Sequence, residues 1–311
     1  MDPTAPRALR RIAYFGPQGT FTEQAARQLH ATAELMPCET IRAAMTAVRK
    51  GDADAACVPV ENSVEGPVSA TLDGLAEDDP LVAVAEALLP IRFSMLAHPD
   101  TDPGALRTVA SHPHALAQVQ RWLEHHFPDA EHIAASSTAA AAVGVTQGQY
   151  DAAVTAPVAA EHYPLKVIAT DVADVPDART RFLLLRRPGA LPEPTGHDRT
   201  SVVAAAENRT GALSELLTEL AIRGINLTRL DARPIRGSFG RYRFYFDFEG
   251  HVAEPRVGDA LAALRRRCDV RFLGSHPRAD DGAASPSAAA SNDVFVHAAE
   301  WVESIRRGES A

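Results

Sequence analysis

The 311-residue sequence holds only three cysteines, Cys38, Cys57 and Cys268, an odd number set far apart. Such spacing builds neither a disulfide framework nor a zinc site, and a reducing compartment is the reading that follows. No stretch approaches the ~20 consecutive apolar residues that a bilayer-spanning helix needs, and residues 1–11 hold no apolar run of the exporting kind. A cytoplasmic location with no membrane partner is expected. A basic stripe is missing as well: the formal charge is −9 and the arginines are scattered, which leaves no electrostatic footprint for nucleic acid. Any anionic ligand must therefore be held by local groups. His112 and His114 have no carboxylate or cysteine at a spacing that completes a metal site, and no metal is expected.

What is present is 46% hydrophobic residues, enough for more than one core. A short strand over 11–15 leads through the turn Gly16-Pro17-Gln18-Gly19-Thr20 into a helix to about residue 30, with Thr20 and Glu23 at the spacing of a capping box. A second helix over 40–50 stops at Gly51 and feeds an apolar strand over 55–60, a parallel β-α-β unit that opens onto Glu61-Asn62-Ser63. The plan recurs as a strand over 108–111, His112-Pro113, a helix to about 126, Ser136-Ser137-Thr138, an alanine-rich helix and a strand from Asp151. Gly51-Asp52-Ala53-Asp54-Ala55-Ala56 aligns with Gly148-Gln149-Tyr150-Asp151-Ala152-Ala153 at a shift of 97, and Pro17 with Pro113 at 96. Two similar lobes are expected. Apolar stretches over 81–97 and 165–169, the second ahead of a strand over 182–185, read as two crossings that make a hinged cleft.

Residues 186–199 are rich in proline and glycine and read as a linker. Strands over 201–206, 225–235, 241–248 and 270–273, with helices over 211–223 and 255–267, give the β-α-β-β-α-β order of a ferredoxin-like domain. Alanine, serine, aspartate and glycine over 278–291 read as a flexible linker. A last helix follows, with Asn292 as N-cap and Phe295, Ala298, Ala299, Val302 and Ile305 on one face.

Several positions could carry chemistry, each beside a plainer reading. The turn ending at Thr20 presents backbone amides to an anion, or is an ordinary strand-to-helix turn. Glu61, Asn62 and Ser63 follow a buried parallel strand, where open α/β sheets gather ligand groups, or Asn62 and Ser63 cap a helix. Ser111 and Gln118 share a helix face two turns apart, or Ser111 is only an N-cap. Thr180-Arg181 suits an oxygen-rich anion, or is a strand threonine beside a surface arginine. In the second domain Gly211-Ala212-Leu213 opens a helix after a strand and a polar turn, so free amides can receive a carboxylate. Asn208 can bond the same ligand, and Leu213 with the strand start Asn226-Leu227 can border its apolar side.

In order and spacing, Gly16-Pro17-Gln18-Gly19-Thr20, Pro59-Val60-Glu61-Asn62-Ser63-Val64-Glu65-Gly66, Ser111-His112-Pro113 with Gln118, Ser137-Thr138-Ala139-Ala140 and Thr180-Arg181-Phe182 resemble the prephenate dehydratase family. The resemblance runs from about residue 11 to 277, its second domain looking like an ACT domain, and excludes the tail. His114 stands where that family usually has glutamine, Ala178 where it often has asparagine, and Asp231-Ala232-Arg233-Pro234 where it has Glu-Ser-Arg-Pro. The resemblance implies an α/β, periplasmic-binding-protein-like catalytic domain over 11–187, with lobe one at about 11–90 and 168–187 and lobe two at about 91–167. A linker over 188–199, an ACT regulatory domain over 200–277, a linker over 278–291 and a helix over 292–307 complete the chain.

The implied activity is decarboxylating dehydration of prephenate to phenylpyruvate for phenylalanine synthesis, driven by aromatisation and needing no cofactor. Thr180 would stand nearest the chemistry, with Thr20, Glu61, Asn62, Ser63, Ser111, Gln118, Ser137, Thr138, Arg181 and Phe182 about the substrate. Phenylalanine would act as effector through Asn208, Gly211, Ala212, Leu213, Asn226 and Leu227, in a homodimer or homotetramer. Arogenate as substrate, and a non-catalytic solute-binding sensor with the same two lobes, remain open at this point.

Overall fold

The computed structural model describes residues 9–235, 237–238, 240–280 and 291–309. Most of the linker expected over 278–291 lies outside the described residues. These divide into two compact units, 9–74 with 86–187, and 75–85 with the chain from 188 onward. No helix among them is long and apolar enough to cross a membrane.

The first unit begins β1 (Arg11–Phe15), α1 (Phe21–Leu29), β2 (Glu34–Cys38), α2 (Ile41–Lys50), β3 (Ala55–Asn62) and β4 (Gly66–Pro67). The division between units falls within α3 (Ser69–Glu77) and β5 (Val82–Pro90). There follow β6 (Ser94–Ala97), β7 (Thr108–Ser111), α4 (Pro113–Gln118), α5 (Gln120–His126), β8 (Glu131–Ala134), α6 (Thr138–Thr146), β9 (Ala152–Thr155), α7 (Ala159–His162), β10 (Lys166–Ala169) and β11 (Arg179–Arg186). Lobe one is a sheet in the order β5-β11-β3-β1-β2, and lobe two a sheet in the order β10-β6-β9-β7-β8.

Local chemistry sets the element ends. Thr20 caps α1 by accepting the Glu23 N–H at 3.2 Å, while the Glu23 carboxylate reaches back to the Gly19 N–H at 2.7 Å. Thr40 caps α2 through the Ala43 N–H at 3.0 Å, and Gly51 ends it at φ +87°. The sequence reading missed β2 and β8. Both are short, half-exposed edge strands without alternation, and Pro37 is tolerated in β2 because an edge strand has no partner on one side. The helix expected to run unbroken to 126 is instead two, because the Asp174 carboxylate accepts the N–H groups of Arg121 and Trp122, each at 3.0 Å, and starts a new helix there.

The 97-residue shift returns as geometry. Asp54 accepts the N–H groups of Arg10 and Arg11 at 2.9 and 3.0 Å, and Asp151 those of Arg107 and Thr108 at 2.8 and 2.9 Å. Thr40 caps α2 as Ser137 caps α6. Ile12 pairs with Ala55 as Val109 pairs with Ala152, all at that same offset. Each lobe is thus one copy of a strand–helix–strand–helix–strand unit pinned by a carboxylate at its closing turn.

Two chain crossings join the lobes and bond to each other, Ile91 N–H to Ala178 C=O at 2.7 Å and Val172 N–H to Phe93 C=O at 3.1 Å. Strand β10 pairs along β6 through Ala169, and the return crossing follows it. It leads into β11, which runs antiparallel to β3 and brings Thr180 opposite Asn62.

The second unit comprises β12 (Asp198–Ala206), α8 (Ala212–Ala221), β13 (Leu227–Pro234), β14 (Tyr242–Glu249), α9 (Pro255–Arg267) and β15 (Asp269–Pro277), with strand order β13-β14-β12-β15. Its helices bury Leu216, Leu220, Val257 and Leu264 against Val202 and Phe246, the ferredoxin-like arrangement expected. Gly274 lets β15 lie against the start of β5, where a Cβ would collide with the Ala83 backbone. The expected linker ends sooner than 199, since Asp198 and Arg199 are buried in β12 and the Asp198 carboxylate binds the N–H groups of Thr195 and Gly196 at 2.8 and 3.0 Å.

A final helix, α10 (Asn292–Arg306), starts from Ser291. Asn292 is not its cap: its amide donates to Glu254 at 3.0 Å, ahead of α9. The apolar face is not buried by the described residues, and Trp301 and Ile305 are exposed.

Arg278 and Asp280 are tied down, not flexible. Arg278 binds Glu249 and Asp280, and Asp280 also binds Arg199. Burial opposes ionisation of Asp280, but the hydrogen bond from Arg278 and the charge of Arg199 outweigh it and hold the carboxyl at about 2. A depressed folded pKa gives stability that is complete above the ordinary 3.8 and lost as pH falls to about 2. Asp280→Asn should therefore lower the denaturant midpoint at pH 7, with the gap to wild type closing across that interval; a gap independent of pH would contradict this.

Candidate active site

The carboxyl ends of the parallel strands in each lobe carry the polar residues, as open α/β sheets require. In lobe one, Glu61 and Asn62 form the end of β3 itself and do not follow it as expected. They pair with Arg181 and Thr180 of β11, and the register slips between Arg181 and Phe182, leaving Val60 without a partner in β11. Such a bulge twists the strand and re-aims its side chains.

Three bonds fix the Asn62 amide. Its oxygen accepts the N–H groups of Val64 and Glu65 at 2.8 and 3.0 Å, and its nitrogen donates to Thr180 Oγ1 at 2.8 Å. The two backbone donors settle which end of the amide faces Thr180. Thr180 is buried and accepts this bond, so its own hydroxyl proton has no acceptor among the described residues. Next to it, Ser63 Oγ accepts the Arg179 N–H at 2.9 Å and is exposed.

Arg181 differs from its sequence reading as a ready anion receptor. Its guanidinium spans Glu86 at 3.2 Å and Glu61 at 3.3 Å, and the Glu86 side chain is only 1% exposed. The positive charge is already neutralised. Phe182 is a core residue, 2% exposed. Sequence spacing puts both next to Thr180, but alternation along β11 turns Arg181 to the opposite face from Thr180.

The turn from Gly16 to Thr20 lies against lobe two. Thr20 spends its hydroxyl on the Phe15 carbonyl at 3.2 Å and on its cap, which leaves only the backbone amides of α1 for a ligand. In lobe two, Ser111 is fully buried and donates to the Val154 carbonyl at 2.5 Å; the N-cap of α4 is His112 instead. Burial, then the neighbouring His114, push the His112 pKa down, opposed by Glu65. His114 itself stands 3.9 Å from Glu65 of lobe one.

Gln118 is 7% exposed and its Oε1 is buried without a hydrogen-bond partner. Ser137 caps α6 through the Ala140 N–H at 2.9 Å, with Thr138 as the first helical residue. Thr155 was not foreseen. It ends β9, is fully buried, and leaves its hydroxyl unpartnered. The signal available was its position at the carboxyl end of a parallel strand.

In the second unit, a pocket of about 360 Å³ is bordered by Asn208, Gly211, Ala212 and Leu213, with Tyr242 and Phe244 across from them. Gly211 sits at φ +80°, and no side chain caps α8. Asn226 and Leu227 do not border it. Leu227 pairs with Phe248, whereas Tyr242 pairs with Ala206 and Pro234, so the two lie at the other end of the sheet; Asn226 instead binds Glu249 at 3.1 Å.

A prephenate dehydratase profile matches residues 12–190 and an ACT domain profile matches 200–266. The prephenate dehydratase of Amycolatopsis methanolica is 69% identical over 306 residues, covering 97% of this chain and 100% of that protein. This chain belongs to the prephenate dehydratase family. A solved prephenate dehydratase from Arthrobacter aurescens, in complex with L-Phe, is 45% identical and superposes with a TM-score of 0.90 over 96% of this chain and 99% of that one. A protein described as a novel type of quorum quenching acylase is 32% identical, with a TM-score of 0.78 over 86% of this chain and 98% of that one.

Fold alone therefore does not fix the chemistry, and the full-length similarity to a prephenate dehydratase does. The chain is an enzyme of that type, with a two-lobed α/β catalytic domain and a C-terminal ACT domain. The solute-binding sensor falls away. Of the departures from the family pattern, His114 faces Glu65 across the lobes, and Ala178 is a buried crossing residue that uses its carbonyl, not its side chain.

Arg181 gives a stability test separable from catalysis. Arg181→Met should cost about 3 kcal/mol or more in urea unfolding, because it takes an ion-pair partner from the buried Glu86 carboxylate. Adding Glu86→Leu should recover most of that loss, and equal instability of the single and double variants would contradict the pairing.

Proposed function

We propose that prephenate binds between the strand ends of the two lobes and that Thr180 donates a hydrogen bond to its departing C4 hydroxyl. The reaction releases carbon dioxide and water and forms an aromatic ring, so the protein must align the ring carboxylate with the leaving oxygen and exclude bulk water. Hydroxide is a poor leaving group. A threonine hydroxyl is too weak an acid to hand over its proton outright, which assigns Thr180 the role of a preorganised donor. The observation that carries this reading is the 2.8 Å bond from Asn62 to Thr180 Oγ1. It fills an acceptor position on the hydroxyl and leaves the proton for the substrate.

With Arg181 committed to carboxylates, the substrate's two carboxylates fall to neutral donors: amides at the starts of α1 and α6, after Thr20 and Ser137, and the Ser63 hydroxyl. The buried, unpartnered oxygens of Gln118 and Thr155 are polar groups that a bound substrate would satisfy. Arogenate differs from prephenate only in its side-chain amine, and an assay offering both substrates decides between them. We place the enzyme in the cytoplasm as a homodimer or homotetramer.

Thr180→Val keeps the shape and removes the donor. It should lower kcat by about 10²-fold or more with little change in KM, followed as phenylpyruvate absorbance in alkali. An unchanged kcat in the folded variant would defeat this role.

The same proposal takes phenylalanine as the effector of the ACT domain. The Arthrobacter relative was solved with L-Phe. Here an uncapped helix start at Gly211 can receive a carboxylate, Asn208 can bond the ligand, and Leu213 and Phe244 supply an apolar wall. Ala212→Asp adds a negative charge that the start of α8 tolerates but that repels an effector carboxylate. Half-inhibition by phenylalanine should need about tenfold more effector or higher, with basal turnover unchanged. Equal inhibition of both proteins would refute the assignment.

A further inference from the structure

Apart from the crossings, the lobes of the catalytic unit are bonded at the turn of the substrate-binding reading. The Tyr163 hydroxyl, just after α7, donates to the Gln18 carbonyl at 2.8 Å. Gly19, at φ +84°, sits so close that a Cβ would stand 3.1 Å from Ala159 Cα and 3.1 Å from Tyr163 Cε2. His162 Nε2 stands 3.1 Å from the Glu23 carboxylate, whose side chain is 1% exposed. That carboxylate also holds the Gly19 N–H and both Nε and Nη2 of Arg27, at 2.7, 3.1 and 2.8 Å. Glu23 thus ties the turn to its own helix, with His162 of lobe two beside it but not hydrogen-bonded to it.

None of these groups touches Thr180 or Asn62, so the Thr180 reading leaves them unused. We propose that Tyr163 is a positioning residue: it clasps the turn from Gly16 to Thr20 to lobe two, holding the cleft in the closed form that aligns the amides of α1. The alignment half of this rests on the reading of that turn as substrate-binding. Burial, then the nearby Glu23, push the Tyr163 hydroxyl upward from its ordinary value, so it stays protonated and remains a donor. Lobe closure is a two-state equilibrium, and a ligand's apparent affinity falls in proportion to the closed fraction lost. One neutral hydrogen bond is worth about a fivefold change in such an equilibrium. Substrate at saturation restores closure. Losing the clasp should therefore raise KM and spare kcat.

Tyr163→Phe keeps the ring against Gly19 and removes only the donor. Spin labels at Ala31→Cys in lobe one and Gln147→Cys in lobe two, in a Cys38→Ser, Cys268→Ser background, report the lobe separation of the full-length enzyme without substrate. The distance distribution should gain a longer component in Tyr163→Phe, and KM for prephenate should rise by up to about fivefold at nearly constant kcat. An unchanged distribution in the folded variant overturns the clasp. A longer component with an unchanged KM keeps the clasp and refutes the substrate-binding reading of the turn. A merely structural tyrosine would lower the melting temperature and leave both readouts alone.

Discussion

Antiparallel pairing of β3 with β11 sets Asn62 opposite Thr180, residues 118 positions apart in the chain, and the 2.8 Å bond between them organises the candidate site. The bond works in one direction because Val64 and Glu65 hold the amide oxygen, which leaves the amide nitrogen for the threonine. A free threonine rotor would spread its proton over several directions. Here one acceptor position is filled, and the remaining donor is preorganised at no further cost when substrate arrives.

Charge follows a different logic from the one that a doubly anionic substrate suggests. The buried arginine beside Thr180 is balanced by Glu86 and Glu61, so it supports the strand end and does not offer a free cation. In the proposed reading, helix-start amides and hydroxyls carry anion recognition. Such groups gain strength only where water is excluded, which ties binding to closure of the lobes. The contacts of Tyr163, His162 and Gly19 with the opposite lobe belong to that requirement.

Much of this was legible in the sequence where one residue has one local reason. Thr20, Thr40 and Gly51 mark helix ends by side-chain or backbone chemistry that needs no tertiary context, and the 97-residue repeat reappears as matched aspartate contacts at Asp54 and Asp151. Edge strands β2 and β8 escaped because they are half-exposed and their pairing is set by neighbours distant in sequence. The break at Val119 depends on Asp174, 55 positions away, and no periodicity within 113–126 reveals it. At the site, position was readable and orientation was not. Motif spacing places Arg181 and Phe182 beside Thr180, yet only the fold shows one turned to Glu86 and the other into the core, and only burial exposes the unpartnered Thr155 hydroxyl.

The coupling between Asn62 and Thr180 is the claim on which the catalytic account stands, and a double-mutant cycle in kcat for prephenate measures it directly. If Asn62 acts by orienting the Thr180 hydroxyl, Asn62→Ala slows wild type but adds little once Thr180 is valine. The double variant should then match Thr180→Val alone. Fully additive losses, with both residues slowing turnover independently, would contradict it.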